Sequence, residues 1–164
     1  MYFKKIAFAV MFLFTAAFSF AQAKTTIKSA NKNIELNFWL NDKGTPLYSV
    51  LYKNKEVLLP SAMGFELKQT MSNEALPALK DNPVVSVSTQ TSSNTKWKPV
   101  WGDVKEISDN YSQLKVSLSQ KGDKAISFNI IFKVFDDGVG FRYEKTKKKN
   151  LTHFIVSEEK TEFH

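Results

Sequence analysis

Two tryptophans, Trp97 and Trp101, stand four residues apart around Pro99 in the stretch Trp97-Lys-Pro-Val-Trp-Gly102. An indole face can stack on a sugar ring, because the C–H groups of a pyranose present an apolar patch. The same side chains also plug cores and interfaces, where each buries a large area. Pro99 puts the pair on an edge or in an irregular segment, since proline cannot donate to a strand ladder. Arg142 is the only arginine of the chain. It lies two residues from Glu144 in an extended stretch, so both side chains point to one face. That makes Arg142 a candidate for a ligand or interface contact, with a structural pair to Glu144 as the plainer use. Trp97, Trp101 and Arg142 are therefore the candidate contact residues.

The remaining reactive groups do not assemble into a catalytic pattern. Glu158, Glu159 and Glu162 cluster near the end, and glycoside hydrolysis does use two carboxyl groups at a set separation. Nothing apolar surrounds these three to shift a pKa, so they read as a solvated strand edge. His153 and His164 are too few and too far apart for a metal site by spacing. Neither has the surroundings of a Ser-His-Asp arrangement. Gly138-Val-Gly140 is no phosphate cradle, because no helix follows to aim its N-terminus at an anion. It reads as a hairpin instead. Asn110-Tyr-Ser112 and Asn150-Leu-Thr152 match glycosylation sequons, which occur often by chance. No catalytic or metal-binding residue is assigned.

The elements that would carry these residues are strands. The chain has 164 residues, which points to one domain. Lys4 and Lys5 precede an almost wholly apolar run from Ile6 to Phe20, and Ser19-Phe-Ala21 supplies small residues two apart. This is the pattern of a secretory signal peptide over residues 1–21, with cleavage after Ala21. The run is short of the ~20 residues that span a bilayer, so no membrane association is expected after cleavage. The folded domain is then residues 22–164. There is no cysteine, which excludes a lipid-anchored cysteine, disulfides and thiolate metal sites. With 43% hydrophobic and 13% aromatic residues, the domain can hold itself together by its core. The formal charge of +7 comes almost entirely from lysine. Nucleic-acid readers lean on arginine for bidentate contacts, so nucleic acid is not an expected partner.

Period-two alternation dominates the mature chain. Ile34, Leu36, Phe38 and Leu40 alternate with polar positions. Asn41-Asp-Lys-Gly44 is a turn. Tyr48–Tyr52 and Glu56–Leu59 flank a tight hairpin at Lys53-Asn-Lys55, closed by Pro60 and Ser61. Gly64–Leu67 is a short strand, and residues 70–82 read as a surface loop. Val84–Gln90 alternates, and Gln90–Thr95 reads as a polar connection. Leu114, Val116 and Leu118 oppose Lys115, Ser117 and Ser119, and Lys121-Gly-Asp123 turns the chain. Ile126 to Phe135 is the longest apolar strand. Asp136-Asp-Gly138 is a hairpin turn in which the glycine can take positive φ. Val139–Glu144 pairs back, Lys145–Asn150 is a charged loop, and Phe154–Val156 begins one more strand. Many short strands with turn signals between them predict an all-β antiparallel sandwich. Ending in a strand would leave an unpaired edge, so the sandwich is expected to be incomplete at its C-terminus and the isolated chain prone to associate.

Five segments together resemble the N-terminal domain of glycoside hydrolase family 97, bacterial α-glucosidases and α-galactosidases. They are Asn41–Tyr48 with Tyr52–Lys55, Pro60–Leu67, Trp97–Gly102, Asn110-Tyr111 with Leu114, and Phe135–Glu144. The resemblance implies a galactose-mutarotase-like super-sandwich packed against a (β/α)8 catalytic barrel. It also implies a calcium-dependent, periplasmic enzyme acting on α-linked oligosaccharides. In that family the acid and the base or nucleophile come from the barrel. The glutamate that the sandwich lends to calcium follows the motif corresponding to Thr161-Glu-Phe163. No catalytic or calcium-binding residue is thereby placed in this chain. A stand-alone periplasmic carbohydrate-binding module is the alternative expectation.

Overall fold

A computed structural model describes residues 24–69, 83–120, 126–146 and 153–164. The expected signal peptide over 1–21, the loop over 70–82, the turn at 121–123 and most of the charged loop over 145–150 lie outside the described residues. Ten strands run in chain order: β1 Thr25–Lys28, β2 Ile34–Leu40, β3 Pro46–Tyr52, β4 Lys55–Ala62, β5 Phe65–Gln69, β6 Val84–Trp97, β7 Ile107–Ser119, β8 Ser127–Val134, β9 Val139–Lys145 and β10 Phe154–Glu159. All pairings are antiparallel. They form two meanders, β1-β2-β3-β4 and β6-β7-β8-β9, and a separate β5-β10 pair.

The expected sandwich is what these sheets build. On β2, Leu36 and Phe38 are fully buried, and on β8 so are Ile130, Phe132 and Val134. Phe38 and Tyr48 meet Phe132 at 5.8 and 6.1 Å between ring centres. Phe65 of β5 meets Phe128 edge-on at 4.7 Å and Tyr143 at 5.0 Å. The first meander and the β5-β10 pair thus cover the same inner face of the second meander. One core runs through Leu36, Phe38, Met63, Leu67, Leu114, Val116 and Phe132. At about 25 cal/mol per Å² of apolar surface removed from water, such side chains supply the main drive for folding.

Turn chemistry sets the registers. Lys53 and Asn54 both take positive φ, 48° and 64°, and Tyr52 pairs directly with Lys55. This is a two-residue connection of the kind whose twist matches its strands. It is tighter than the three residues expected, and β4 then continues through Pro60 to Ala62 with two register shifts. At the next turn, Asn41 Oδ1 accepts from the amides of Lys43 and Thr45, at 3.0 and 2.8 Å. Gly44 has φ 75° there.

Two further expectations are corrected. Gln90–Thr95 is not a connection but the middle of β6, paired residue by residue with β7. Serine, threonine and asparagine read as loop formers, yet β-branched threonine suits a ladder that β7 dictates. The longest strands are β6 and β7, of 14 and 13 residues, and β8 carries the apolar run expected of it. Gly138 is not a positive-φ residue; only Gly44 and Gly102 are, among the described glycines. Its carbonyl instead accepts from the Phe135 amide at 2.8 Å, closing a four-residue turn between Val134 and Val139.

The last strand is not left unpaired. β10 pairs with β5, and the residues after it continue along β4. The Lys160 and Glu162 amides donate to Gly64 and Ala62 carbonyls at 2.8 and 2.9 Å, and Leu59 N–H donates to the His164 carbonyl at 3.0 Å. The tail therefore stitches the β5-β10 pair to the first meander.

Candidate functional site

Trp97 closes β6 opposite Ile107, and residues 98–106 form the connection to β7. Pro99 interrupts the ladder, as its missing N–H requires. Gly102 has φ 129°, a backbone state that favours glycine. Lys96 Nζ and Glu106 Oε1, at 2.8 Å, clasp the base of the connection. Beyond the clasp the apolar side chains face water: Trp97 is 51% exposed, Trp101 87% and Val100 wholly exposed. The tryptophans are thus not core plugs. Val104, 57% exposed, extends this exposed apolar segment.

Arg142 lies elsewhere, on the outer face of the second meander. The register aligns Lys115, Ile131 and Arg142 across β7, β8 and β9, and Ser117, Asn129 and Glu144 in the adjacent row. Ser117 Oγ donates to Asn129 Oδ1 at 2.8 Å, and Asn129 Nδ2 donates to Glu144 Oε1 at 3.0 Å. Lys115 Nζ reaches the same oxygen at 3.2 Å, and Arg142 Nη2 reaches Glu144 Oε2 at 3.4 Å. The Asn129 hydrogen bond, then Lys115, holds the Glu144 carboxyl below the usual carboxylate range. Arg142 and Glu144 share a face, as the spacing required, and their contact is the structural pair. Sequence reasoning missed the Asn129 bridge. Its signal was the polar face of β7 and β8, but only the register aligns Ser117 with Asn129 and Glu144.

The structure does not bring Trp97, Trp101 and Arg142 into one contact cluster. Nor do the acids gather. Glu162 Oε2 accepts the Ala62 amide at 3.0 Å and sits 3.1 Å from His164 Nε2. The Ala62 amide first, then His164, lowers the Glu162 pKa. Glu158 pairs with Lys160. These glutamates fasten the tail. Among the described residues, no group of three His, Cys, Asp or Glu could hold a metal ion. No described helix is long and apolar enough to cross a membrane.

An apolar cleft of about 410 Å³ opens where the β4 and β9 edges diverge, walled by Tyr48, Val50, Leu58, Val139, Phe141 and Phe163. Asp137 is the single acid on its wall, so it lacks a carboxylate pair. At its floor the Tyr48 hydroxyl donates to the Glu162 carbonyl at 3.0 Å. Burial pushes the Tyr48 phenol up to about 12, with Tyr143 adding to the effect. Burial likewise raises Tyr143, whose hydroxyl lies 2.8 Å from Thr161 Oγ1.

Comparison with known proteins adds what the geometry alone does not name. The family model described as glycosyl-hydrolase 97 N-terminal matches residues 27–164. A glycoside hydrolase family 97 enzyme of Pseudoalteromonas sp. strain K8, solved with panose and, in another structure, with acarbose, is similar at 32% identity and a TM-score of 0.74. The match covers 85% of this chain and 20% of that one. A β-arabinopyranosidase, at 21% identity and a TM-score of 0.70, supports the fold alone. The chain spans about a fifth of the length of the enzymes it matches. By the extent of the family match and by its fold, the chain belongs to the glycoside hydrolase family 97 N-terminal domain family.

Proposed function

We propose that this domain is a non-catalytic platform that docks on, and shapes, the catalytic (β/α)8 barrel of an α-glucosidase-like family 97 enzyme. The observation that carries the reading is the exposed apolar segment after β6. Val100 and Trp101 have almost no protein around them, and aromatic anchors of this kind dominate protein interfaces. The small share of the matched enzymes that the chain spans supports the same division of labour. On this reading calcium and both catalytic carboxyl groups belong to the whole enzyme. The leader over residues 1–21 supports export to the periplasm, where α-linked oligosaccharides would be met.

The test is hydrolysis of p-nitrophenyl α-glucoside by this polypeptide with calcium present. No turnover is expected, and calcium-dependent turnover would overturn the reading. The exposed indoles favour one further reading, a stand-alone carbohydrate-binding module, since bare aromatic faces also stack on sugars. Titration with maltooligosaccharides, followed by tryptophan fluorescence, separates the two. Silence at millimolar sugar keeps the platform. Saturable quenching that Trp101→Ala abolishes establishes the module.

A further inference from the structure

On the outer face of the second meander, the register sets Gln113, Lys133 and Gly140 in one row and Lys115, Ile131 and Arg142 in the next. Beyond the first row stand Tyr111 and Phe135, with ring centres 5.4 Å apart. A pit of about 240 Å³ opens here, lined by Ile131, Lys133, Phe135, Gly140, Phe141 and Arg142. Ile131 alternates with the inward Ile130 and Phe132, yet it is only 4% exposed. The long stems of its row neighbours Lys115 and Arg142 can lie over it while their charges reach water. The pit thus has an apolar side and a cationic rim.

Gly140 leaves the pit open. Glycine inside a strand marks a bulge, a sharp bend, or a place where another group comes close. The pairing of β8 with β9 runs from Phe128 to Val134 without a shift, so no bulge is present. Gly140 is not a positive-φ residue, and a Cβ there would meet nothing within 4 Å. Neither backbone conformation nor packing asks for glycine at this position. Close approach by a ligand is the use that remains.

The charges around the pit do not balance. In these rows and the next, Lys115, Lys133 and Arg142 share the face with one acid, Glu144. Lys115 and Asn129 already hold Glu144 Oε1, and Arg142 touches Oε2 only at 3.4 Å. A guanidinium carries five donors, so most of those on Arg142 stay available. Lys133 Nζ rests 3.8 Å from the Tyr111 ring centre rather than on a carboxylate. Of the nearby acids, Asp136 accepts the Asn31 amide at 2.8 Å, and Asp137 lines the larger cleft. Lys133 and Arg142 are diagonal neighbours on paired strands, about 7–8 Å apart at that spacing. An anion between them would relieve their repulsion.

We infer that this pit binds a single uronic acid residue, with its carboxylate between Arg142 and Lys133 and its ring against Phe135. The planar guanidinium matches a carboxylate with two parallel hydrogen bonds. The half-buried Phe135 ring offers an apolar face to the C–H side of a pyranose. A bare phosphate would leave the apolar side unused, and a neutral hexose would leave both cations unused. The volume lies below the roughly 300–1,000 Å³ of ordinary ligand pockets, which suits one ring rather than a chain of them.

Arg142 is the chain's single arginine, so its Nε–H gives one resonance of its kind in a nitrogen–proton correlation spectrum. Sodium glucuronate at millimolar concentration should move that resonance saturably. Glucose should leave it in place, and inorganic phosphate at matched ionic strength should move it far less. Gly140→Leu fills the pit and should abolish the response with unchanged circular dichroism. Lys133→Gln should weaken binding roughly tenfold, the worth of one hydrogen bond to a charged group, and it carries the test if Gly140→Leu fails to fold. No saturable shift, phosphate as effective as glucuronate, or a response indifferent to Lys133→Gln would each overturn the inference. Trp101→Ala should leave the glucuronate response intact, so this site and the platform reading fail independently.

Discussion

Two groups of aromatic residues in this domain behave oppositely. Phe38, Tyr48, Phe65, Phe128 and Phe132 interlock at ring separations from 4.7 to 6.1 Å, inside a dry core. Trp97 and Trp101, the largest side chains of all, face solvent on the connection after β6. Hydrophobicity does not explain the division, since both populations would gain from burial. Position on the ladder explains it. The core rings occupy alternate positions of strands whose inner face is covered. The tryptophans flank Pro99 and precede the positive-φ Gly102, on the connection that takes the chain out of the sheet. An apolar residue kept outside by such a device contributes little to folding in isolation.

The largest effect expected from that contrast is at Phe132. Phe132→Ala should destabilise the domain by about 3–5 kcal/mol, measured by denaturant unfolding. A much smaller loss would mean that the core can collapse around the gap. Next is Asn129, only 4% exposed and bonded to both Ser117 and Glu144. Asn129→Ala should cost about 1–2 kcal/mol, the net worth of two intramolecular hydrogen bonds, since Glu144 keeps Lys115 and Arg142. Equal stability would show that water replaces the amide.

A third prediction uses pH. The Tyr48 phenol has a folded-state pKa of about 12 against an ordinary value of 10. The folded state then holds a proton that the unfolded state releases. The stabilisation is complete below the unfolded value and is lost as pH rises through the folded one. Thermal stability should therefore fall between these two values. In Tyr48→Phe the fall should be shallower, with Tyr143 accounting for what remains. An unchanged slope would discharge Tyr48 from the role. The smallest effect is expected at the exposed segment: Trp101→Ala should change stability by less than about 0.5 kcal/mol. A loss comparable to that of Phe132→Ala would erase the distinction between the two populations.

Most strands could be read from alternation, because one covered face imposes a period of two. Ile34–Leu40 is the plainest case, where Ile34, Leu36 and Phe38 are buried and the residues between them are half-buried. The stretch from Gln90 to Thr95 could not be read in that way. Its inner-side residues overhang the opposite layer and stay wet, so no apolar rhythm is required of them, and composition alone suggested a loop. Pro60 misled similarly, since β4 carries it through where its register with β3 shifts. For the candidate contacts, the sequence established that Arg142 and Glu144 share a face. It left open whether the tryptophans were inside or outside, because an indole serves either purpose. The Ser117–Asn129–Glu144 row was hidden for a third reason. It depends on how three strands are staggered, and no local pattern carries stagger.

The β5-β10 clasp bears on the order of events in time. Each meander joins neighbours in sequence and can zip up from its own turns. The clasp instead unites distant parts of the chain, as with Ser157 and Glu66, 91 residues apart. Closing so wide a loop carries a conformational-entropy cost before any contact repays it. The two halves should therefore form early and the clasp late. Pulse-labelled amides of β7 and β8 should be protected before those of β5 and β10, and simultaneous protection would contradict this order.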